Sequence, residues 1–149
     1  MPYIVWRSRM SVGIERIDED HKQMIRCVND LDVAINQAIY DPRLTAQTLL
    51  SLCQYTKSHF DREEMLMRAV EYPDFAVHKH QHDTARTILQ DICESFMLAP
   101  DKAAAERIYK FAADWLVQHI LISDMKMVPH IVGKAAPASA PAPVPSAVS

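Results

Sequence analysis

The sequence predicts an all-α protein: an antiparallel up-down-up-down four-helix bundle with an extended N-terminal arm. Glycine is scarce, at two of 149 residues, which disfavours a turn-rich β fold. Four prolines, Pro42, Pro73, Pro100 and Pro129, divide the chain into segments of about one helix each, because proline disrupts a helix interior but is tolerated in its first turn. Within these segments apolar residues recur every three or four positions, the period of an amphipathic helix.

The N-terminal part combines an arm and the first helix. Residues 1 to about 17 lack a helical period, so we expect extended chain lying across the bundle, with Trp6 as an apolar anchor. From Asp18 the apolar pattern becomes helical and continues to about Tyr40. Acidic residues at its start suit the positive end of the helix dipole.

The other three helices follow from the proline positions. Helix B is predicted from about Leu44 until Tyr72, and helix C opens with Asp74 as its N-cap. Helix D follows Asp101 and is expected to end before Pro129. Residues 1–132 would form the bundle domain, and the Ala/Pro-rich residues 133–149 a flexible tail that could tether a protein partner.

Composition excludes several classes of partner. The formal net charge is −3 and no basic cluster occurs, so nothing indicates nucleic acid or an anionic membrane. No apolar run approaches a membrane span, and the N-terminus lacks the features of a signal peptide. The three cysteines are odd in number and set in helical apolar patterns, which predicts buried reduced thiols and a cytoplasmic location.

Each predicted helix carries a histidine in register with its apolar stripe. Because neighbouring helices run in opposite directions, these histidines and two carboxylates should meet at the same end of the bundle. The seven predicted metal ligands are His21, His59, Glu63, His78, His82, His119 and Asp124.

Metal binding explains this buried polar set best. Leaving five imidazoles and two carboxylates without partners would cost several kcal/mol for each charge. Seven donors are too many for one tetrahedral zinc, and mixed nitrogen and carboxylate donors suit iron or manganese. Two octahedral metals with both carboxylates and a hydroxide as bridges would leave one coordination position open, which predicts a small exogenous ligand.

Asp124 is out of helical register with His119. Five residues at about 100° each leave the two side chains roughly 140° apart on a regular α-helix. We therefore predict a π-like bulge or a loosened turn at residues 119–124.

The complete motif series resembles the hemerythrins, specifically the bacterial hemerythrins. It reads His21, His59-x-x-x-Glu63, His78-x-x-x-His82 and His119-x-x-x-x-Asp124. Flanking words agree as well: SVGIERIDED before His21, Tyr-Pro before helix C, and WLVQHI around His119. The resemblance covers residues from about Trp6 to Val128.

The resemblance implies a di-iron centre with an oxo or hydroxo bridge. His78, His82 and His119 would hold one iron and His21 and His59 the other, with both carboxylates bridging. Dioxygen would bind to the second iron. The implied oxygen pocket consists of Met24, Phe60, Trp115, Leu116 and Ile120.

The function expected from this resemblance is reversible dioxygen binding by a carrier, store or sensor, not catalysis. One alternative is a di-iron oxidase or peroxidase, although such sites rely more on carboxylates than this one. Another is an iron-storage or redox-sensing module that acts through a partner. His80 and His130 are interpreted as residues outside the site, His80 facing solvent and His130 following the bundle.

Overall fold

Four long helical stretches make up the part of the chain that the structure describes, residues 3–135 of a computed structural model. The first three are α1, α2 and α3, and the fourth consists of α4, a π-helical segment and α5 in direct succession. Their bounds are Glu15–Ile35 (α1), Pro42–Ala69 (α2), Phe75–Leu98 (α3), Lys102–Gln118 (α4), His119–Asp124 (the π segment) and Met125–Ala135 (α5). Helix α1 packs on α2 and α4, and α3 packs on the same two helices, so the predicted antiparallel four-helix bundle is confirmed.

Short polar residues cap two of the helices, whereas Asp74, the predicted N-cap, lies at the start of α3 without a side-chain capping hydrogen bond. Asp41 accepts a hydrogen bond from the Arg43 amide beside Pro42, and Asp101 accepts one from the Ala104 amide at 2.7 Å. Helix α1, by contrast, ends five residues before the predicted Tyr40. Its C-cap Asn36 turns its side-chain amide back to the Asp32 carbonyl, a local bond that competes with helix continuation.

The N-terminal arm is fixed to α1 by side chains of that helix. Buried Asn29 binds the backbone of Ile4 in both directions, accepting from its N–H at 3.0 Å and donating to its carbonyl at 2.8 Å. Asp18 accepts hydrogen bonds from Ser11 and from the Val12 amide. The arm is therefore extended as predicted, apart from a 3₁₀ turn at Ser8–Met10, and it ends where α1 begins at Glu15.

The prediction that the fourth helix ends before Pro129 is wrong. Helix α5 contains Pro129 and continues to Ala135, so it includes Gly133, where the predicted tail begins. An internal proline costs roughly 3 kcal/mol, but Met127 and Ile131 on either side of it are fully buried, which contributes roughly 1.5–3 kcal/mol each. The remainder of the predicted tail, residues 136–149, lies outside the described residues.

The apolar core has two parts. The larger one lies between α1, α2, α3 and α4, and the smaller one joins the end of α2 to α5. The smaller cluster contains Met67, Val70, Tyr72, Met127 and Ile131. Within residues 3–135, no helix combines the length and apolar character that crossing a membrane requires.

The cysteines differ from one another in exposure. Cys27 is buried as predicted, whereas Cys53 and Cys93 are only partly buried. The prediction of three buried thiols therefore fails for two of them. The cause is their position on α2 and α3, beside an open cavity between those helices.

Candidate metal centre

All seven predicted ligands meet in the interior of the bundle. Each is at most 5% exposed. Within the described part of the chain they form two groups whose donor atoms lie within 4.8 Å of one another. One group is Glu63, His78, His82, His119 and Asp124, and the other is His21, His59, Glu63 and Asp124. The two carboxylates belong to both groups.

A π-helical turn brings Asp124 into the site. The π segment spans His119–Asp124, as the five-residue spacing predicts. Because its hydrogen bonds join residues five apart, it places residues 119 and 124 one turn apart on the same face. The His119 Nε2 atom consequently lies 2.9 Å from Asp124 Oδ1.

The histidine nitrogens of the first group converge as metal ligands do. His82 Nε2 lies 3.1 Å from the Nε2 atoms of both His78 and His119. On its other side, His82 Nδ1 lies 3.1 Å from the Glu64 carboxylate, which can only accept, so this nitrogen carries the proton. The Nε2 lone pair of a neutral His82 is then directed into the cluster, where a cation would bind it.

The carboxylates at the centre are arranged better for binding a cation than for hydrogen bonding with the neighbouring histidines. Among residues 3–135, the buried oxygens of Glu63 and Asp124 and both ring nitrogens of His21 and His59 lack a hydrogen bond of good geometry. Histidine nitrogens nevertheless approach these oxygens, as at 3.0 Å between His21 Nε2 and Asp124 Oδ2. Atoms that point at a common centre and not at each other are what metal coordination requires.

The buried histidines and carboxylates of the cluster change one another's pKa. Burial opposes charge on His21 and His78, yet their close contacts with Asp124 and Glu63 outweigh it and raise each pKa to about 9. Burial raises the pKa of both carboxyl groups, but the surrounding histidines lower it below the ordinary range. Burial lowers the pKa of His82, which agrees with its neutral form.

Two acidic residues behind the ligands were missed by the sequence reasoning. Glu64 binds His82 and also accepts from Arg86 Nη1 at 2.8 Å. Asp20 lies 3.6 Å from His59 Nδ1 and accepts from Arg62 at 2.9 Å. Glu64 directly follows the predicted ligand Glu63, and Asp20 directly precedes the predicted ligand His21. This adjacency is the sequence signal that could have indicated them.

Aromatic side chains cover the histidines. The Phe60 ring stacks on His82 at 4.0 Å between centroids, and Trp115 stacks on His119 at 4.3 Å. Phe60 and Trp115 also meet edge to face. These contacts restrict the orientation of the His82 and His119 rings.

The five predicted oxygen-pocket residues do not all line the same cavity. Met24, Trp115 and Leu116 line a mainly apolar cavity of about 20 Å³. Phe60 and Ile120 are fully buried but do not line that cavity. The structure thus brings three of the five residues to one small void.

The two remaining predicted histidines lie outside both ligand groups. His80 is exposed, as predicted. His130 is also exposed, but it belongs to α5 and contacts the Tyr72 ring at 5.0 Å between centroids, so its predicted position beyond the bundle is wrong. The reason is the continuation of the fourth helix through Pro129.

A four-helix bundle whose interior holds five histidines and two shared carboxylates defines a helical cation-binding protein. The family described as the hemerythrin HHE cation binding domain matches residues 12–131. The chain therefore belongs to the hemerythrin family.

Relatives and solved structures agree with this assignment. A bacteriohemerythrin of Stenotrophomonas maltophilia is 29% identical over 80% of this chain and 76% of its own length. A myohemerythrin of Theromyzon tessulatum is 30% identical over 81% of this chain and 88% of its own. The crystal structure of a wild-type hemerythrin superposes with a TM-score of 0.78 at 28% identity, covering 87% of this chain and 98% of that one.

Proposed function

We propose that this protein binds dioxygen reversibly at a non-haem di-iron centre and acts as an oxygen carrier, store or sensor. The observation that carries the proposal is the pair of donor groups with both carboxylates in common. Family membership supports the same function. Bound iron would supply the electrons for reversible dioxygen binding.

The ligands would divide between two irons in the same way as the donor atoms divide into two groups. His78, His82 and His119 would hold one iron, and His21 and His59 the other. Glu63 and Asp124 would bridge them, because each carboxylate has one oxygen near each set of histidines, as the contacts of Asp124 Oδ1 with His119 and Oδ2 with His21 illustrate. The iron held by His21 and His59 would have fewer histidine ligands and would therefore keep the open coordination position. An oxo or hydroxo group would be a further bridge between the two irons.

The apolar pocket would control access to that position. We assign Met24, Phe60, Trp115, Leu116 and Ile120 to it, because four of them are almost fully buried and three border the cavity. A void of about 20 Å³ admits a molecule of about the size of water. Apolar walls exclude bulk water while leaving room for a diatomic ligand.

The composition of the ligand set favours binding over catalysis. Five imidazoles supply less negative charge than the carboxylate-rich sites of di-iron enzymes. We therefore propose that the chain is not an enzyme in its main role.

We also propose a cytoplasmic location, which the three free thiols favour. A role of the Ala/Pro-rich tail in binding a protein partner remains a proposal from its composition alone.

Reconstitution with iron tests the proposed function. The full-length protein is loaded with ferrous iron under anaerobic conditions, and we expect two irons per chain and a visible charge-transfer band that appears with dioxygen and disappears on its removal. The His82→Ala variant should lose iron, whereas His80→Ala, an exposed histidine on the same helix, should match the wild type. Irreversible bleaching with turnover of a substrate, or a colourless protein that prefers zinc, would contradict the proposal.

A further inference from the structure

Two cysteines that are far apart in sequence face each other across a helix–helix contact. Cys53 lies on α2 and Cys93 on α3, and their Sγ atoms are 3.5 Å apart although 40 residues separate them. Both are thiols and only partly buried. Cys27, on α1, is buried and takes no part in this pair.

The pair is accessible from solvent. Cys53 and Cys93 line an open cavity of about 800 Å³ between α2 and α3, together with polar residues such as Gln90 and Glu94. Its rim includes Met97 and Leu98, which are highly exposed. A small solute can therefore reach either sulfur without unfolding the bundle.

The two thiols differ in acidity because they interact. A hydrogen bond with Cys93 lowers the pKa of Cys53. That hydrogen bond, burial and the charge of Glu94 raise the pKa of Cys93. The interaction therefore favours a thiolate at Cys53 over a thiolate at Cys93.

We propose that Cys53 and Cys93 form a peroxide-reactive dithiol that closes reversibly to a disulfide between α2 and α3. The Cys53 thiolate attacks hydrogen peroxide, the O–O bond breaks, and Cys53 becomes a sulfenic acid while hydroxide leaves and takes up a proton to become water. The Cys93 thiol then displaces the sulfenic hydroxyl, which leaves with a proton as a second water. In sum, two thiols and one peroxide give one disulfide and two waters.

The disulfide would join two helices that together supply four of the seven proposed ligands. Helix α2 carries His59 and Glu63, and α3 carries His78 and His82. A covalent link between these helices restricts the unfolded chain, so the oxidised protein should have a higher Tm than the reduced protein. Oxidant level would thereby set how firmly the ligand helices are held together.

Mass spectrometry of the full-length, iron-loaded protein tests the pair directly. After peroxide treatment we expect the mass to fall by two hydrogen atoms, one cross-linked peptide to contain Cys53 and Cys93, and dithiothreitol to reverse both changes. The Cys27→Ser variant should behave like the wild type. The Cys53→Ser/Cys93→Ser double variant measures the peroxide that iron consumes by itself.

Single variants identify the order of the steps. In Cys93→Ser, Cys53 should stop at the sulfenic acid, which dimedone traps, and in Cys53→Ser the remaining thiol should react more slowly. Far-ultraviolet circular dichroism and iron content show that each variant is folded. The proposal is overturned if both thiols stay free for alkylation, if each oxidises further without a cross-link, or if Cys27 appears in the disulfide.

Discussion

His82 is held in place by residues on both sides of its ring. Its Nε2 atom faces His78 and His119, and its Nδ1 atom is held by Glu64. Arg86 in turn holds Glu64. This series of hydrogen bonds fixes the tautomer and the ring plane of His82, so we expect the Glu64 carboxylate to contribute to metal affinity.

Replacing Glu64 with Gln should weaken iron binding by about 10- to 100-fold, the usual effect of removing such a supporting carboxylate. The neutral amide no longer requires the proton on His82 Nδ1. Competition with a chelator measures the change. Asp61→Asn is the matched control, because Asp61 also binds Arg86, at 3.1 Å, but is exposed. Equal affinities of the two variants would show that Glu64 does not position His82.

Replacing Leu116 with Ala should make the reversible absorption band decay faster in the presence of dioxygen. The smaller side chain enlarges the apolar void and admits water to the cluster. The truncation also costs roughly 2–5 kcal/mol of stability. Stopped-flow and long-term absorbance give the decay rate, with the exposed Leu50→Ala variant as control. A decay rate equal to that of the wild type would contradict the pocket assignment.

At the residue scale, the sequence identifies site residues that recur with the helical period. It does not identify residues whose role depends on neighbours from other helices of the bundle. The seven ligands share a register with the apolar stripes, so their meeting at one end could be anticipated. Glu64 and Asp20 have no such register of their own. The Cys53–Cys93 contact likewise depends on how α2 and α3 are aligned, which spacing within one helix does not reveal.

At the scale of elements, the π segment decides whether the fourth helix completes the site. The π segment contains one residue more than a regular α-helical turn between His119 and Asp124. Both side chains nevertheless face inward. The helix before and after this segment thereby keeps a common buried face. Ile122, within the segment, is 54% exposed.

Deleting Ile122 should convert the π segment into a regular helical turn and leave iron binding in place. His119 and the carboxylate would then be four residues apart, still one turn from each other. Deleting Ile122 and Ser123 together rotates all later residues by a further 100° or so, which removes the carboxylate and Ile131 from their positions. Iron content per chain distinguishes the two variants. Loss of iron in the single deletion would show that the wide turn itself is required.

Helix α5 should contribute measurably to stability despite Pro129. Ile131→Ala removes a side chain that is 1% exposed, so we expect a loss of roughly 2–5 kcal/mol in the free energy of unfolding. Val132→Ala, at a position 46% exposed, should change it by less than about 0.5 kcal/mol. Urea denaturation measures both. Similar values for the two variants would place Ile131 outside the core.

Sequence rules located the helices well and their ends less well. Asp74 was predicted as the N-cap of α3 and lies at that position, but its side chain makes no capping hydrogen bond. Asp101, which was not predicted as a cap, accepts one from the Ala104 amide. The continuation through Pro129 depends on Met67 and Tyr72, which are distant in sequence. A local rule for proline has no access to that packing.

At the scale of the whole molecule, protons and metal compete for one buried site. His21 and His78 have pKa values raised from 6.5 to about 9 in the metal-free chain. A raised folded-state pKa stabilises the protein fully below pH 6.5, and this contribution is lost as the pH rises through about 9. A metal binds these histidines only when they are deprotonated, so the affinity for metal increases as the pH rises.

The metal-free protein should therefore lose stability between pH 6.5 and 9, and the stabilisation by bound iron should grow over the same range. Each pKa unit corresponds to roughly 1.4 kcal/mol for one group. Thermal denaturation of chelator-treated and iron-loaded samples across this range gives both trends. A metal-free Tm that is constant or rises with pH would mean that protons do not replace the cation.

The shared carboxylates also determine when the centre can first exist during synthesis. Glu63 is synthesised early, whereas Asp124 is synthesised late because it belongs to the fourth helix, together with His119. A nascent chain that ends after α3 possesses five of the seven ligands and neither group complete. Because translation proceeds from the N-terminus, the proposed irons could both be bound only after almost the whole bundle has left the ribosome.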